Sequence, residues 1–112
     1  MNESITREEI KQKLDANEPM ILVEALPQQY FDAEHLPGAI NIPHDEIRGR
    51  APQSLPDKHA LIVVYCASTE CRNSLLAAKV LRQMGYTEVR EYVEGKQHWI
   101  EANYPTVSTE AA

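Results

Sequence analysis

Cysteine is scarce in this chain: two of its 112 residues, Cys66 and Cys71, both inside one short segment. Two thiols so placed exclude a disulfide framework, and no second pair exists to make a four-cysteine zinc site; a redox or nucleophilic role is what remains. Basic residues are also few. Eleven Lys and Arg against seventeen Asp and Glu leave a formal charge of −6 and a pI near 5.1. With no basic cluster to offset the carboxylates, nucleic acid and anionic membrane surfaces are excluded as main partners, and an anionic substrate requires local positive potential. Long apolar runs are missing as well. The stretch Met20 to Leu26 is interrupted by Glu24 and is too short and too far in for a signal peptide or a membrane span, so a cytoplasmic location is expected. His35, His44, His59 and His98 show no metal-ligand spacing, and no Gly-rich phosphate motif or nucleotide fingerprint is present, so neither metal nor cofactor is expected. Internal repeats and low-complexity tracts are absent.

What is there suits one domain. The length and the 43% apolar content are enough to bury a single core, expected over residues 1–112 with its body at about 5–107 and a frayed tail after Thr106. Thr6 and Glu9 have capping-box spacing and predict a first helix through Leu14, ending at Asn17 and Pro19. Ile21 to Val23 reads as a buried strand, Pro27 to Phe31 as a turn opening a brief helix, and Pro37-Gly38 as a turn before a short strand, Ala39 to Ile42. Asp45 is placed to cap a small helix through Arg48, and Pro52 and Pro56 predict an irregular approach to the second strong strand, Leu61 to Tyr65. A helix from Asn73 follows, with Leu75, Leu76, Ala78, Val80 and Leu81 at helical spacing and Gly85 at its terminator position. A last strand, Glu88 to Val93, precedes a last helix, Gln97 to Ala102. Strands alternating with helices imply a mainly parallel α/β sheet covered on both faces.

The segment Tyr65-Cys66-Ala67-Ser68-Thr69-Glu70-Cys71-Arg72 places a cysteine at a strand-to-helix turn. Successive loop amides, the positive end of the following helix and the charge of Arg72 all favour thiolate over thiol. Cys66 is therefore the candidate nucleophile, with Ala67, Ser68, Thr69, Glu70, Cys71 and Arg72 as its loop.

His35-Leu36-Pro37-Gly38-Ala39-Ile40-Asn41-Ile42-Pro43, Tyr65-Cys66 with its loop, and Gly85 to Trp99 together resemble the hallmarks of the single-domain rhodanese family, over about Ile5 to Val107. The resemblance implies a parallel five-stranded α/β sheet with helices on both faces. It also implies a cysteine, here Cys66, that accepts a sulfane sulfur from a donor such as thiosulfate or a persulfide and passes it to a thiol or a cyanide-like acceptor. A partner protein is a further option for either role, and a monomer is the default.

Departures from the family pattern keep other functions open. Arg72 comes six positions after Cys66, a Cys-x5-Arg spacing shared with dual-specificity phosphatases and arsenate reductases of this fold. One more residue widens the amide cradle and suits a tetrahedral phosphate or arsenate. Tyr65 in place of their histidine, and Glu70 and a second thiol within the loop, argue against a dianion. Glu94-Gly95 stands where two glycines are usual, and Glu24-Ala25-Leu26 replaces an Asp-x-Arg. A redox-sensing module without catalysis is the third class. Cys71 is either a resolving thiol or a small packed side chain; Arg72 either binds an anion or is tied to a carboxylate that shapes the loop. Ser68, Thr69 and Ser74 can donate to sulfur or an oxyanion, while Asn73 and Ser74 can equally cap the helix. His35 reads as a structural histidine, and Tyr92 and Trp99 as packing.

Overall fold

In a computed structural model, residues 3–109 of the chain are described. The first helix, α1 (Arg7–Asp15), starts where the capping box closes: Thr6 accepts from the Glu9 amide and the Glu9 side chain accepts from the Thr6 amide. Asn17 then takes a left-handed φ of 55° and turns the chain back. β1 (Ile21–Glu24), α2 (Gln28–Ala33) and the two-residue β2 (Ile40–Asn41) follow.

After a 3-10 turn at His44–Glu46 comes α3 (Ile47–Ser54), longer than the small helix expected to end at Arg48. Asp45 lies within the turn and makes no cap bond, and Pro52 sits inside α3 instead of breaking it. Burial explains this: Ile47, Ala51 and Leu55, four residues apart, are all fully buried, and the apolar face they share outweighs the one lost amide bond. β3 (Leu61–Tyr65), α4 (Asn73–Gln83), β4 (Glu88–Tyr92) and α5 (Gly95–Glu101) complete the chain, with Gly85 at φ +98° ending α4.

All strand pairings are parallel, in the order β2-β1-β3-β4. The sheet thus has four strands among the described residues, not the five expected. In the fifth place, beside β4, the chain makes a single parallel bridge, Ser4 to Glu91. Ile5 donates to the Glu91 carbonyl at 3.1 Å and Glu91 to the Glu3 carbonyl at 2.9 Å, but the capping box at Thr6 turns the chain into α1 before the ladder can extend.

The strands alternate between two cores. Val23, Ile62, Val64 and Val89 meet α3 and α4 on one face; Leu22, Val63, Tyr65 and Tyr92 meet α1 and Trp99 of α5 on the other. Helices therefore cover both faces, as the alternation of elements predicts. Tyr92 and Trp99 are buried, and His35 stacks on Phe31 at 3.8 Å with Nδ1 2.8 Å from the Phe31 carbonyl.

The segment expected to fray is held over part of its length. Val107 bridges His35, and Thr106 and Thr109 donate to Glu34 and Asp32. Residues 110–112 of that expected tail lie outside the described residues. Among the described residues no helix is long and apolar enough to cross a membrane.

Candidate functional site

β3 is a central strand, so its carboxyl end delivers Cys66 to the edge of the sheet where the next helix begins, the position at which open parallel sheets place their ligands. The loop from Ala67 to Arg72 then folds over it, closed by a turn in which the Cys71 amide donates to the Ser68 carbonyl at 3.1 Å. Two backbone bonds from α5 hold the loop's start: Lys96 N–H to the Cys66 carbonyl at 2.8 Å and Gln97 N–H to the Ala67 carbonyl at 2.9 Å. That approach needs glycine at Gly95. Its φ is +77°, and a Cβ there would lie 2.7 Å from the Cys66 carbonyl oxygen and 2.8 Å from the Ser68 nitrogen.

Beneath the loop lies a buried polar network. Tyr65 Oη accepts from the Leu36 amide at 3.2 Å and donates to Glu24 Oε1 at 2.9 Å. Lys96 Nζ meets Glu24 Oε2 at 2.9 Å and also donates to the Tyr30 and Glu34 carbonyls. Burial raises the Glu24 carboxyl above its ordinary range, with the Lys96 ammonium opposing. Burial and the Glu24 charge push the Tyr65 phenol far up. Glu24 read from sequence only as a departure from a family pattern; its partners lie 41 and 72 residues away in sequence, beyond any local signal.

The Cys66 thiol is 1% exposed and faces α4. Its Sγ is 3.3 Å from the Cys71 carbonyl oxygen and donates toward Ser74 Oγ at 3.4 Å, while the Ser74 amide turns toward the sulfur. Ser74 Oγ in turn donates to Glu91 Oε2 at 2.7 Å. The amide turned toward the sulfur is thus that of Ser74 in α4, beyond the loop expected to supply it, and the expected thiolate-favouring balance does not hold in this conformation. Burial, and next the Cys71 thiol beside it, push the Cys66 thiol above the usual 9.0; the Ser74 groups only partly offset this.

The other loop residues divide around two cavities. One of about 340 Å³ is lined by Thr69, Glu70, Cys71, Arg72, Leu75, Glu91 and Val93. The second, of about 220 Å³, is lined by Ser68, Thr69, Glu94, Gln97, His98 and Glu101. Ala67, Thr69, Glu70 and Arg72 are exposed. Arg72, at the α4 N-cap, forms no ion pair among the described residues, so its guanidinium is not spent on shaping the loop. Asn73 and Ser74 do not cap α4 either. Asn73 Nδ2 reaches the Ala25 carbonyl at 3.4 Å and ties the helix to the end of β1, and Ser74 serves Glu91. The residues that sequence reasoning passed over are Glu91 and Lys96, both made important by the fold bringing them under the loop.

The model of the rhodanese-like domain matches residues 6–102 of this chain. The chain belongs to the rhodanese-like domain family. Among relatives, it is 34% identical over 103 residues to the HTH-type transcriptional regulator Rv0324 of Mycobacterium tuberculosis, covering 92% of this chain and 44% of that protein. It is 44% identical over 64 residues to the thiosulfate sulfurtransferase PspE of Escherichia coli, covering 57% of this chain and 59% of that one. The chain thus spans about half the length of the curated relatives it matches. Among solved structures, the rhodanese-like domain of Anabaena Alr3790 superposes with a TM-score of 0.85 at 27% identity over 96% of this chain and 80% of that one. The human single-domain sulfurtransferase TSTD1 superposes with a TM-score of 0.78 at 24% identity, covering 90% of this chain and 97% of that chain, which bears on the fold alone.

Proposed function

We propose that this rhodanese-like domain is a sulfurtransferase that carries a sulfane sulfur on Cys66. The observation that carries the reading is the placement of the Cys66 thiol at the carboxyl end of β3, under the first turn of α4, with the Ser74 amide turned toward it. A negative sulfur at that point meets the positive end of the helix. Relatives named thiosulfate sulfurtransferase and putative sulfur carrier protein support the same assignment.

The cycle balances without a cofactor. Cys66 gives up its proton, and the thiolate attacks the outer sulfur of thiosulfate or of another persulfide. The donor's S–S bond breaks, and sulfite, or the donor thiolate, leaves with the electron pair. An acceptor, cyanide or a thiolate, then attacks the outer sulfur of the Cys66 persulfide and releases the Cys66 thiolate. In this reading Arg72, exposed beside the larger cavity and in no ion pair among the described residues, holds the anionic end of a donor. Cys66 lines neither cavity, so the loop from Ala67 to Cys71 must open to admit the donor. In this reading Cys71 acts as a resolving thiol: its attack on the inner sulfur expels hydrosulfide and leaves a Cys66–Cys71 disulfide for a dithiol reductant to reopen.

Intact mass of the reduced protein after thiosulfate, with thiocyanate measured after cyanide, tests the reading. One added sulfur that maps to Cys66, moves to cyanide and vanishes in Cys66→Ser is expected. No added mass and no thiocyanate, together with hydrolysis of a phosphomonoester or reduction of arsenate, would overturn it in favour of the chemistry its Cys-x5-Arg spacing allows.

A further inference from the structure

Ser74 has one hydroxyl proton, and the structure shows where it goes: to Glu91 Oε2, at 2.7 Å. With that proton spent, only the acceptor side of Ser74 Oγ is left for the sulfur 3.4 Å away, so the thiol of Cys66 is the donor in that contact. The other oxygen at the sulfur, the Cys71 carbonyl at 3.3 Å, is likewise an acceptor. With the Ser74 proton on Glu91, both oxygen contacts are made by the Cys66 proton; the Ser74 amide favours losing that proton, and the Ser74 hydroxyl does so whenever it is free to donate. Ser74 is 1% exposed, which leaves its hydroxyl no solvent partner as an alternative to Glu91 and Cys66.

We propose that Glu91 is a positioning residue that restrains the nucleophile. By holding the Ser74 hydroxyl proton it keeps Cys66 as the neutral thiol, and Cys66 becomes reactive when Glu91 releases Ser74. On release the Ser74 O–H rotates to donate to sulfur, and the proton leaving Cys66 passes to a solvent base, so that a thiolate stabilised by the Ser74 amide and hydroxyl replaces a thiol held by acceptors. The trigger has an address. Glu91 lines the 340 Å³ cavity that Arg72 also lines, so a group entering that cavity contacts the carboxylate that controls the sulfur. The other titratable or charged groups facing this assembly are Glu70 and Cys71 of the loop, and the N-terminal segment meets Glu91 through backbone bonds with the Glu3 carbonyl and the Ile5 amide. On the α4 side the contacts are Ser74 and the apolar Leu75.

The proposal takes Cys66 as the reactive thiol and so rests on the sulfurtransferase reading, but its test uses no sulfur donor. The pH profile of iodoacetamide alkylation, mapped to Cys66 by mass, is compared in Cys71→Ser protein carrying Glu91→Gln, Ser74→Ala or both. Glu91→Gln is expected to move the profile to lower pH and to speed alkylation at pH 7 roughly tenfold, the change that accompanies one pKa unit. Ser74→Ala is expected to move it the other way, and Glu91→Gln is expected to add nothing in the Ser74→Ala background. Equal acceleration with and without Ser74 would overturn the proposal, since Glu91 would then act through its charge alone. Slower or unchanged alkylation in Glu91→Gln would overturn it too. Glu91→Ala, which removes the acceptor without supplying a new donor, must agree in direction with Glu91→Gln, and a disagreement counts against the proposal. Failure of the sulfurtransferase reading shows separately, as absent thiocyanate with this pH pattern intact.

Discussion

Lys96 Nζ lies 2.9 Å from Glu24 Oε2 in the interior, joining α5 to the end of β1 directly beneath the loop that carries Cys66. Glu24 is fully buried, so removing its cation leaves a buried, unpaired carboxylate. Lys96→Met is expected to cost about 3–5 kcal/mol, the range for breaking a buried pair, read as a lower midpoint in urea. Glu24→Gln should cost less, because Lys96 keeps the carbonyls of Tyr30 and Glu34. The pH dependence has a definite sign. A carboxyl raised by burial above 4.5 contributes stability that is fully present below 4.5 and lost as pH rises through its folded value. The deficit of Lys96→Met should therefore be largest at neutral pH and shrink toward acid, whereas that of Glu24→Gln should not follow this course.

Gly95 and Gly38 share a left-handed φ, +77° and +79°, but differ in what a Cβ would meet. At Gly38 there is nothing within 4 Å, so Gly38→Ala should cost only the conformational strain, about 1–2 kcal/mol. At Gly95 the same strain is joined by contacts of 2.7, 2.8 and 2.9 Å with the backbone of Cys66, Ser68 and Ala67. None of those atoms can move without shifting the loop. Gly95→Ala should lose more stability than Gly38→Ala and cut sulfur transfer at least roughly tenfold, about 1.4 kcal/mol in the barrier, while Gly38→Ala leaves transfer near that of the parent; urea midpoints and thiocyanate assays on both variants check this.

Much of the frame was legible because its signals are local. The capping box at Thr6 and Glu9, the apolar run of β3 and the Gly85 terminator of α4 each depend on residues a few positions apart. The α3 boundary was not, because Pro52 is a strong local breaker and only burial of Ile47, Ala51 and Leu55 overrides it. Strand count failed for a similar reason: whether residues 3–5 make a strand or a single bridge depends on where Thr6 starts the helix. At the site, the loop sequence pointed to amide donors and the Arg72 charge around Cys66 but said nothing of burial. Closure of the loop over the sulfur, and the arrival of Ser74 and Glu91 from α4 and β4, are products of packing; burial and the Cys71 thiol then raise the Cys66 thiol against the partial offset of Ser74.

Arg72 is exposed and in no ion pair among the described residues, so its loss should leave the fold intact and act on the donor alone. Arg72→Ala is expected to change stability by less than about 0.5 kcal/mol, as surface substitutions do, and to raise the KM for thiosulfate roughly tenfold with a smaller effect on kcat, the pattern of lost ground-state binding. Arg72→Lys should recover only part of the affinity, because a point charge replaces a planar fork. Steady-state kinetics with thiosulfate at varied ionic strength measure it. An unchanged KM would remove Arg72 from the donor site.

Two causes raise the Cys66 thiol above the usual 9.0, burial first and the Cys71 thiol second, and each makes a separable prediction. In the resting protein the midpoint for alkylation of Cys66 should lie above 9.0, so reaction at pH 7 should be slow and should climb as pH rises. Cys71→Ser should bring that midpoint down only part of the way, since it removes the smaller cause and leaves the sulfur covered. Stability carries the same sign. The folded protein favours the neutral thiol, so this contribution is fully present below 9.0 and is lost as pH rises through the folded value. Urea unfolding of the parent and of Cys66→Ala between pH 7 and pH 11 should show the advantage of the parent narrowing only above 9.0. A midpoint below 9.0 would mean that the Ser74 amide and the α4 terminus outweigh burial, and that the sulfur stands ready as thiolate before any donor arrives.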